Sequence, residues 1–563
     1  MTGAGLVANA DLVVVGGGPR ALYALADLET ALAEAGGTVD GDRPFRVTVI
    51  DPGDPGAGAV WDPSQPDHLV MNVDARIVDA TCPSVPKTFA QWHSQRHGEV
   101  GTTALYPPRA VVGGYLSWAF DRLRASPLLQ IRTVRALVKD VRRDDAGWVC
   151  LHDSDAAADG RERGKRVLLA TGHAGGAGID HAAVADVSSG PAPGSIVVIR
   201  GAALTAFDVV LDLTAARGGT WLPDAAALSG LTYVPSGQEP EGIALVARSG
   251  EVMLPKPDAA PPAVAEAVTT QTARLTALLT PDDAWWEIMA DAAVAAARAS
   301  GVDVARERLW ERLDAAPDLA DAGGVDGRWA RDIGRATGDV DDDPAWWWGR
   351  AWSAGYADVV HSLERGPRDQ HTWTRWRERA IRLERWAFGP PLATHRRLLA
   401  LREAGLLRVD RSAPDNAVAP VALGTHAGPP TGTSEGRREQ VVIDAFTSGP
   451  GVLDSPRAWD ADAFRPSPGR EPWSSLFESG LATVRPGERG VHTLADGACV
   501  GGDGRAVPGL SALGRPTEDA VIGHDSLRRH LHGDSRRWAR AVAAQWLITD
   551  HPTGTRSKEH VHG

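Results

Sequence analysis

The chain has 563 residues, of which 43% are hydrophobic, and a formal net charge of −13. This length favours two to four domains, at about 150 residues per domain, and the apolar content excludes a disordered chain. The net negative charge argues against a nucleic-acid or anionic-membrane partner.

The spacing of the cysteines and the hydropathy of the chain narrow the class of protein further. Cys82, Cys150 and Cys499 are far apart and form no C-x-x-C pair, so we expect no zinc cage, no dithiol redox centre and no disulfide framework. No apolar run approaches the ~20 residues of a membrane span, and the N-terminus lacks a signal-peptide pattern. We therefore expect a soluble cytoplasmic enzyme without a metal.

A buried strand, a glycine turn and a helix are predicted within residues 12–35. Gly16, Gly18 and Ala21 form the fingerprint G-x-G-x-x-A of a dinucleotide-binding turn. Gly16 permits the tight turn, Gly18 lets the backbone approach a pyrophosphate, and Ala21 keeps the helix close to the strand. The pattern therefore predicts a bound dinucleotide.

The same segment predicts where the phosphates and the ribose lie. Pro19 and Arg20 begin the helix, whose free N–H groups favour an anion. The next strand, 46–50, ends in Asp51, an acid placed to bind ribose hydroxyls. Its distance from Gly16 exceeds the usual ~20 residues, and the extra length fits a loop at 36–44.

The first half is predicted to continue with a small antiparallel layer and a returning strand. Residues 131–141 and 147–152 have the pattern of strands in that layer. Residues 166–173 form an apolar strand with a sharp exit at Thr171 and Gly172. In two-nucleotide flavoproteins such a turn brings the chain back beside the flavin nucleotide.

A second strand, turn and helix follow. Residues 195–200 read as a buried strand, 207–216 as a helix and 231–234 as the next strand. Only Gly201 remains of the fingerprint, and the methyl group of Ala203 can obstruct a pyrophosphate. The predicted nucleotide-binding residues of this unit are Gly201, Ala203, Leu204, Thr205 and Ser236. A retained fold that no longer binds a nucleotide is the alternative.

The rest of the chain adds helices and a return to the first unit. Residues 261–408 have helical spacing and many tryptophans, which predict an inserted helical domain; Trp346, Trp347 and Trp348 either pack in its core or line a substrate lid. Residues 440–445 read as a strand and 494–500 as a hairpin. A strand that ends at Gly514 before a helix would direct N–H groups, with Thr517 nearby, at a flavin.

We therefore predict an α/β fold with two Rossmann-like dinucleotide-binding domains and an inserted α-helical domain. The predicted division is 1–190 for the first part of the FAD domain, 191–260 and 409–450 for the NAD(P)-like domain, 261–408 for the helical insertion and 451–563 for the return to the FAD domain.

Several segments together resemble a family of FAD/NAD(P)-binding flavoproteins found widely in actinobacteria. They are GGGPRALYAL, QPDHLVMNVDA, YPPRAVVGGYLSW, LLATGH, IRGAALTAFDVVLDLTAARGG, LTYVPSGQEP and ALGRPTEDAVIGHDSLRRHLH. The family is distantly similar to flavin-containing and N-hydroxylating monooxygenases, and some members oxygenate amino acids on nitrogen. Relatives more often have glycine at position 203 and arginine at position 238, where this chain has Ala203 and Gln238.

The resemblance implies FAD as cofactor, NAD(P)H as reductant and a monooxygenase reaction through a flavin C4a-(hydro)peroxide, on a small molecule such as an amine or amino acid. It suggests Asn72 as a catalytic residue that bonds the flavin or peroxide; an Asx turn is the alternative. Arg248 could pair with a nicotinamide nucleotide phosphate, although a solvated arginine is the alternative. His68, His93 and His173 are expected to be structural.

Two other functions stay open. One is an FAD oxidase or dehydrogenase with a vestigial NAD(P) site, indicated by Ala203 and Ala206, and the other is a non-catalytic nucleotide-binding protein. A disulfide reductase is excluded because no redox cysteine pair is present. The expected partners are a small-molecule substrate and molecular oxygen, with no nucleic acid and no membrane, and a homodimer is an open option.

Overall fold

The structure is a computed structural model that describes residues 10–35, 43–97, 105–154, 157–172, 179, 181–247, 250–257, 261–315, 324–411, 440–445, 449–459, 471–519 and 522–550. Within them, parallel sheets alternate with many helices, so the predicted α/β class is confirmed. No helix in this part of the chain is both long and apolar enough to cross a membrane.

Fifteen strands are assigned in the described residues. They are β1 (Leu12–Val15), β2 (Phe45–Asp51), β3 (Leu129–Arg135), β4 (Leu137–Asp144), β5 (Gly147–Ser154), β6 (Ala157–Gly164), β7 (Val167–Leu169), β8 (Ile196–Arg200), β9 (Thr220–Pro223), β10 (Leu231–Val234), β11 (Gly242–Ala247), β12 (Leu407–Arg411), β13 (Gln440–Asp444), β14 (Ala498–Val500) and β15 (Ala506–Ala512).

Fourteen α-helices accompany them in the same residues. They are α1 (Pro19–Glu34), α2 (Phe89–His97), α3 (Arg109–Arg124), α4 (His181–Ala185), α5 (Leu204–Asp212), α6 (Pro262–Thr272), α7 (Asp283–Ala299), α8 (Arg306–Asp314), α9 (Gly324–Thr337), α10 (Pro344–Leu363), α11 (Gln370–Ala387), α12 (Leu392–Glu403), α13 (Trp473–Glu478) and α14 (Asp534–Asp550).

The first sheet joins both ends of the chain. Its strand order is β14-β15-β7-β1-β2-β3, and all pairs except β14–β15 are parallel. The valine-rich β1 is buried along its whole length, as a central strand with both faces covered requires. α14 packs on α1, where Asp27 accepts hydrogen bonds from Arg529 and Ser535, both at 2.6 Å.

The predicted antiparallel layer exists, but residues 131–135 do not belong to it. Residues 131–141 divide at Ala136, where the chain leaves one sheet and enters another. β3 pairs in parallel with β2, with Val47 opposite Ile131. β4, β5 and β6 form the antiparallel layer. The apolar pattern alone does not show which sheet a strand joins, because both sheets bury one face of it.

The second sheet has four parallel strands in the order β12-β11-β8-β13. The prediction that residues 231–234 form its next strand is wrong. β10 pairs with β9 in a separate two-stranded antiparallel ribbon, with Tyr233 opposite Trp221. The strand beside β8 is β11, an uninterrupted buried run. β10 has an exposed Val234, which suits a ribbon with one face in water.

Helices α6 to α12 lie between β11 and β12 in the chain and share one hydrophobic core with the second sheet. Trp346, Trp347 and Trp348 are each at most 5% exposed, so the packing interpretation of these tryptophans is confirmed. The predicted end of this segment at residue 408 lies inside β12.

Candidate functional site

The carboxyl ends of the first sheet's parallel strands meet at one edge, which brings four predicted segments together. The N–H of Gly16 donates to Ile50 at 2.9 Å, and the N–H of Ala170 donates to Val15 at 2.8 Å. The N–H of Leu513 donates to Leu169 at 3.1 Å. The ends of β1, β2, β7 and β15 therefore lie side by side, which is where ligands bind in open α/β sheets.

Gly16 is required by the close approach of this turn to the neighbouring strand. Its φ is +93°, and a Cβ there would lie 2.8 Å from the carbonyl carbon of Ala170. Gly18 has ordinary extended backbone, and the nearest atom to an added Cβ would be the Cα of Gly58 at 3.8 Å. The space over Gly18 is the room that a pyrophosphate would need.

The N-terminus of α1 faces this space. Pro19, Arg20 and Ala21 form its first turn, and no side chain caps the helix at Gly18. The free N–H groups and the helix dipole favour a bound anion. The Nη1 atom of Arg20 is buried and has no hydrogen-bond partner among the described residues. A buried unpaired guanidinium nitrogen fits an anionic group that the protein itself does not supply.

Asp51 holds the glycine turn in place. Its carboxylate accepts hydrogen bonds from the N–H of Gly17 at 2.6 Å and from the N–H of Gly53 at 2.7 Å. Burial raises the pKa of Asp51, and the two backbone hydrogen bonds oppose that shift. A carboxylate offers about four acceptor positions, so the partly exposed group can still accept from ribose hydroxyls.

The tail of the chain reaches the same edge at Gly514. Its φ is +83°, and a Cβ there would lie 2.7 Å from Cγ of Arg20. The predicted helix after Gly514 is instead a single 3₁₀ turn, Arg515–Thr517. The hydroxyl and the N–H of Thr517 both donate to the Gly514 carbonyl at 2.9 Å. These two hydrogen bonds pair the Gly514 carbonyl within the turn itself. The turn therefore does not depend on a helix of greater length.

Thr171 and Gly172 follow β7 at this edge. The indole N–H of Trp473 donates to the Thr171 hydroxyl at 3.3 Å. Gly172 has φ +70°, and no atom of the described residues lies within 4 Å of an added Cβ. The described residues therefore leave room beside Gly172, as a bound cofactor would need.

Asn72 lies in a loop that pairs with the segment before α3. The N–H of Met71 donates to Pro107 at 2.8 Å, and the N–H of Ala75 donates to Leu105 at 2.9 Å. The half-buried Asn72 amide makes no side-chain hydrogen bond within the described residues. The Asx turn of this loop is formed by Asp74, which accepts from the N–H of Arg76 at 2.9 Å. The Asn72 side chain is thus available to a ligand.

In the second sheet, Gly201 follows β8 with φ +134°, and an added Cβ would lie 3.0 Å from the Ala445 carbonyl oxygen. Ala203 caps the N-terminus of α5 with extended backbone, and Leu204 and Thr205 begin the helix. The strand-turn-helix geometry survives here, with a methyl group at the position where the fingerprint has glycine.

Ser236 lies at the other end of β8. Its N–H and hydroxyl donate to Glu239 at 2.8 and 3.0 Å. The carbonyl of Glu239 accepts from the N–H of Gly194, just before β8 begins. The structure therefore does not bring Ser236 and Gly201 to one edge of the sheet. Arg248 lies outside the described residues, as does His173.

The sequence prediction missed a set of buried charges between the two parallel sheets. Asp208 and Asp212 lie one turn apart on α5, an otherwise apolar helix. Arg109 of α3 donates to Asp208 at 2.8 Å. His68 Nε2 and His181 Nδ1 each lie 2.6 Å from one oxygen of Asp212. The sequence does carry one signal for these buried charges, which is a pair of acidic residues four positions apart in an otherwise apolar helical segment.

Residues 13–174 match the protein family described as FAD-NAD(P)-binding, which confirms the resemblance on the segment that forms most of the first sheet. A nitrosuccinic acid synthase of Aspergillus oryzae is 31% identical over 261 residues, which are 41% of this chain and 39% of that protein. An L-aspartate N-monooxygenase (nitrosuccinate-forming) of Streptomyces davaonensis is 29% identical over 288 residues, which are 40% of this chain and 42% of that protein.

The chain thus covers about two fifths of the length of these curated relatives. Among solved structures, the reduced ornithine hydroxylase of Pseudomonas aeruginosa is similar at 12% identity, with a TM-score of 0.46 over 95% of this chain and 99% of that chain.

Proposed function

We propose that the protein is an FAD- and NAD(P)H-dependent monooxygenase that transfers one oxygen atom to the amino group of a small amino acid. The observation that carries this proposal is the edge of the first sheet, where Gly16, Gly18, Asp51 and the unpaired Arg20 meet. The match of residues 13–174 to an FAD-NAD(P)-binding family supports FAD as the occupant. The name of the Streptomyces davaonensis relative, which states N-oxygenation of L-aspartate, supports the reaction.

The proposed layout has two dinucleotide-binding units, with the helices 262–403 inserted in the second. The first unit would hold FAD, with the pyrophosphate at Gly18 and the N-terminus of α1, and the ribose at Asp51. The second unit would hold NAD(P)H above Gly201 and the first turn of α5. The parallel order of β12, β11, β8 and β13 supports this role, because Gly201 and Ala445 share its carboxyl edge.

FAD, when bound, would accept hydride from the nicotinamide and react with oxygen. The protein's part is to bind, to orient and to exclude water. Asn72 would donate a hydrogen bond to the flavin or to the oxygen bound near it, because its amide has no other partner in the described chain. Thr171 and Gly172 would border the flavin ring, and Gly514 and Thr517 would fix the backbone beside Arg20.

The test uses purified protein reconstituted with FAD. NADPH or NADH should reduce the flavin under anaerobic conditions, and L-aspartate with air should then give N-oxygenated product. One oxygen molecule should be consumed for each NAD(P)H oxidised in each N-hydroxylation step. Steady NAD(P)H oxidation without oxygen consumption, for every amino acid tried, would rule the proposal out.

One observation favours a second candidate, an FAD oxidase or dehydrogenase with a vestigial second unit. Ala203 places a methyl group at the N-terminus of α5, where the nucleotide phosphate would approach. Failure of both NADPH and NADH to reduce the flavin would favour this candidate. A cytoplasmic location and a homodimer stay predictions.

A further inference from the structure

Arg385 of α11 places a positive charge at the glycine turn of the second sheet. Its Nη2 atom donates to the carbonyl oxygen of Ala202 at 3.1 Å and also to the carbonyl oxygen of Glu251. Ala202 lies between β8 and α5, in the turn that begins with Gly201, and Glu251 follows β11. The guanidinium therefore bridges the two loops that leave the carboxyl ends of β8 and β11.

The position of these loops in the sheet is that of a nucleotide-binding edge. The strand order β12-β11-β8-β13 puts β11 and β12 on one side of β8 and β13 on the other, so the order of the strands reverses at β8. The N–H of Gly201 donates to Val246 at 2.9 Å, and the N–H of Ala445 donates to Arg200 at 3.0 Å. The three carboxyl ends thus lie side by side at the point where open α/β sheets bind their ligands.

The backbone at the end of α11 is fixed against the same edge. The N–H of Leu254 donates to the Arg385 carbonyl at 3.1 Å, and the N–H of Lys256 donates to the Pro390 carbonyl at 2.9 Å. Gly389 leaves no room for a side chain, since a Cβ there would lie 2.9 Å from the carbonyl carbon of Leu254. These contacts hold α11 against the segment that follows β11, so the fold itself sets the position of the cation.

Arg385 has no carboxylate partner in the described residues, where its side chain donates only to the two carbonyl oxygens. The carboxylate of Glu251 pairs instead with Arg312 at 2.5 Å. The Nε atom of Arg385 is buried and makes no hydrogen bond in this part of the chain. Burial lowers the pKa of Arg385, and the charge of Glu251 opposes that shift. A half-buried cation that meets only carbonyl dipoles gains from an anion bound beside it.

We infer that Arg385 binds a phosphate group of NAD(P)H, and that the helical segment thereby completes the nucleotide site of the second sheet. This inference rests on the proposed function for the identity of the nucleotide. The methyl group of Ala203 crowds the N-terminus of α5, where the fingerprint has glycine, so the phosphate loses part of its usual binding there. A guanidinium held against the same turn supplies a positive charge and a fork of donors that match phosphate oxygens.

The test is calorimetric titration of the FAD-loaded protein with NADP⁺ and, separately, with NAD⁺, neither of which can reduce the flavin. Arg385→Gln should weaken nucleotide binding about ten-fold or more, because charge-assisted hydrogen bonds are lost. A loss for both nucleotides identifies the pyrophosphate as the bound group, and a loss for NADP⁺ alone identifies the 2′-phosphate. Arg385→Lys, which keeps the charge and loses the fork, should recover part of the affinity. Unchanged affinity of Arg385→Gln for both nucleotides would overturn the inference.

The matched control is Arg382→Gln. Arg382 lies one turn earlier on α11 and likewise donates to two carbonyl oxygens, those of Leu313 and Ala315, but these belong to the C-terminal end of α8. This variant also loses contacts of α11, yet it should bind both nucleotides as the wild type does. Equal weakening in the two variants would mean that Arg385 only supports the helix, and the inference would fail.

The salt dependence of the affinity gives a readout that a purely structural role would not change. Added salt should weaken nucleotide binding to the wild type more steeply than to Arg385→Gln, because the variant lacks the charge that salt screens. Should Arg385→Gln fail to fold, Arg385→Lys decides, since nucleotide affinity equal to that of the wild type would count against the fork.

Oxygen transfer, measured on the same proteins, separates this inference from the proposed function. Nucleotide binding that does not depend on Arg385, in a protein that still reduces its flavin and oxygenates substrate, overturns the inference alone. Arg385-dependent nucleotide binding without any oxygen transfer overturns the monooxygenase alone. A wild type that binds neither nucleotide overturns both.

Discussion

The Nε2 atom of His68 lies 2.6 Å from Oδ1 of Asp212, so the loop that follows β2 contacts α5 through one buried carboxylate. The other oxygen of Asp212 lies 2.6 Å from Nδ1 of His181. Asp212 has no exposed surface. A carboxylate that holds two imidazoles in this way fixes the position of α5 against the first sheet.

Asp212→Asn should therefore destabilise the fold by about 2 to 4 kcal/mol, because it removes a buried charge and leaves an imidazole without its acceptor. Urea unfolding at pH 6.5 measures this change. The control is Asp303→Asn, which breaks an exposed pair with Arg298 and should cost less than about 1 kcal/mol. Equal losses of stability in the two variants would contradict the role of Asp212 in fixing α5 against the first sheet.

The same contact predicts a pH dependence. Burial lowers the pKa of His181, but the hydrogen bond and charge of Asp212, with Asp208 adding and Arg109 opposing, raise it above the ordinary value of 6.5. A raised histidine pKa gives stability that is complete below 6.5 and is lost as pH rises through the higher value. The stability difference between wild type and Asp212→Asn should therefore shrink from pH 6 to pH 8.5. A difference that grows with pH would be the wrong sign.

Gly16→Ala should abolish FAD binding, because the new methyl group would overlap the carbonyl of Ala170, which directly follows the neighbouring strand β7. Gly194→Ala is the matched control, since Gly194 also has positive φ, +76°, but no atom of the described chain within 4 Å of an added Cβ. It should cost about 1 kcal/mol of backbone strain and keep FAD. The ratio of flavin to protein absorbance after gel filtration measures how much FAD stays bound. Loss of FAD in Gly16→Ala but not in Gly194→Ala would show that the contact with Ala170, and not backbone strain alone, requires glycine at position 16.

Ala203→Gly should lower the KM for NADPH about three- to ten-fold and leave kcat unchanged, because it relieves a contact worth about 1 kcal/mol at the phosphate position. Ala206→Gly, inside α5 and fully buried, is the control and should only reduce stability. Unchanged KM in Ala203→Gly would show that the methyl group does not limit nucleotide approach.

Asn72→Ala should lower turnover about ten-fold or more while FAD affinity stays close to that of the wild type, because the amide is available to a ligand. Asp74→Asn is the control in the same loop, since the Asp74 side chain already accepts from the Arg76 N–H. Full activity of Asn72→Ala would remove this residue from the mechanism.

The glycine turn between β1 and α1 could be predicted because its signal is local: strand, glycine turn, helix and Asp51 follow one another in the chain. The second parallel sheet was only partly predictable, since strand pairing is non-local. The prediction places residues 231–234 beside β8, but β11, the more continuous apolar run, lies there. The prediction of Ser236 as a nucleotide-binding residue depends on that wrong placement. Asp212 and His68 are 144 positions apart, so their contact produces no periodic pattern in the sequence from which it could be predicted.

The position of β15 between β7 and β14 has a consequence for biosynthesis. The nucleotide-binding edge stays incomplete until residue 512 has left the ribosome. Until then the outer side of β7 presents unpaired N–H and C=O groups, which are a template for intermolecular pairing. Expression fragments that end before β15 should therefore aggregate rather than yield a smaller flavoprotein, and the nascent chain needs protection of that edge during most of its translation.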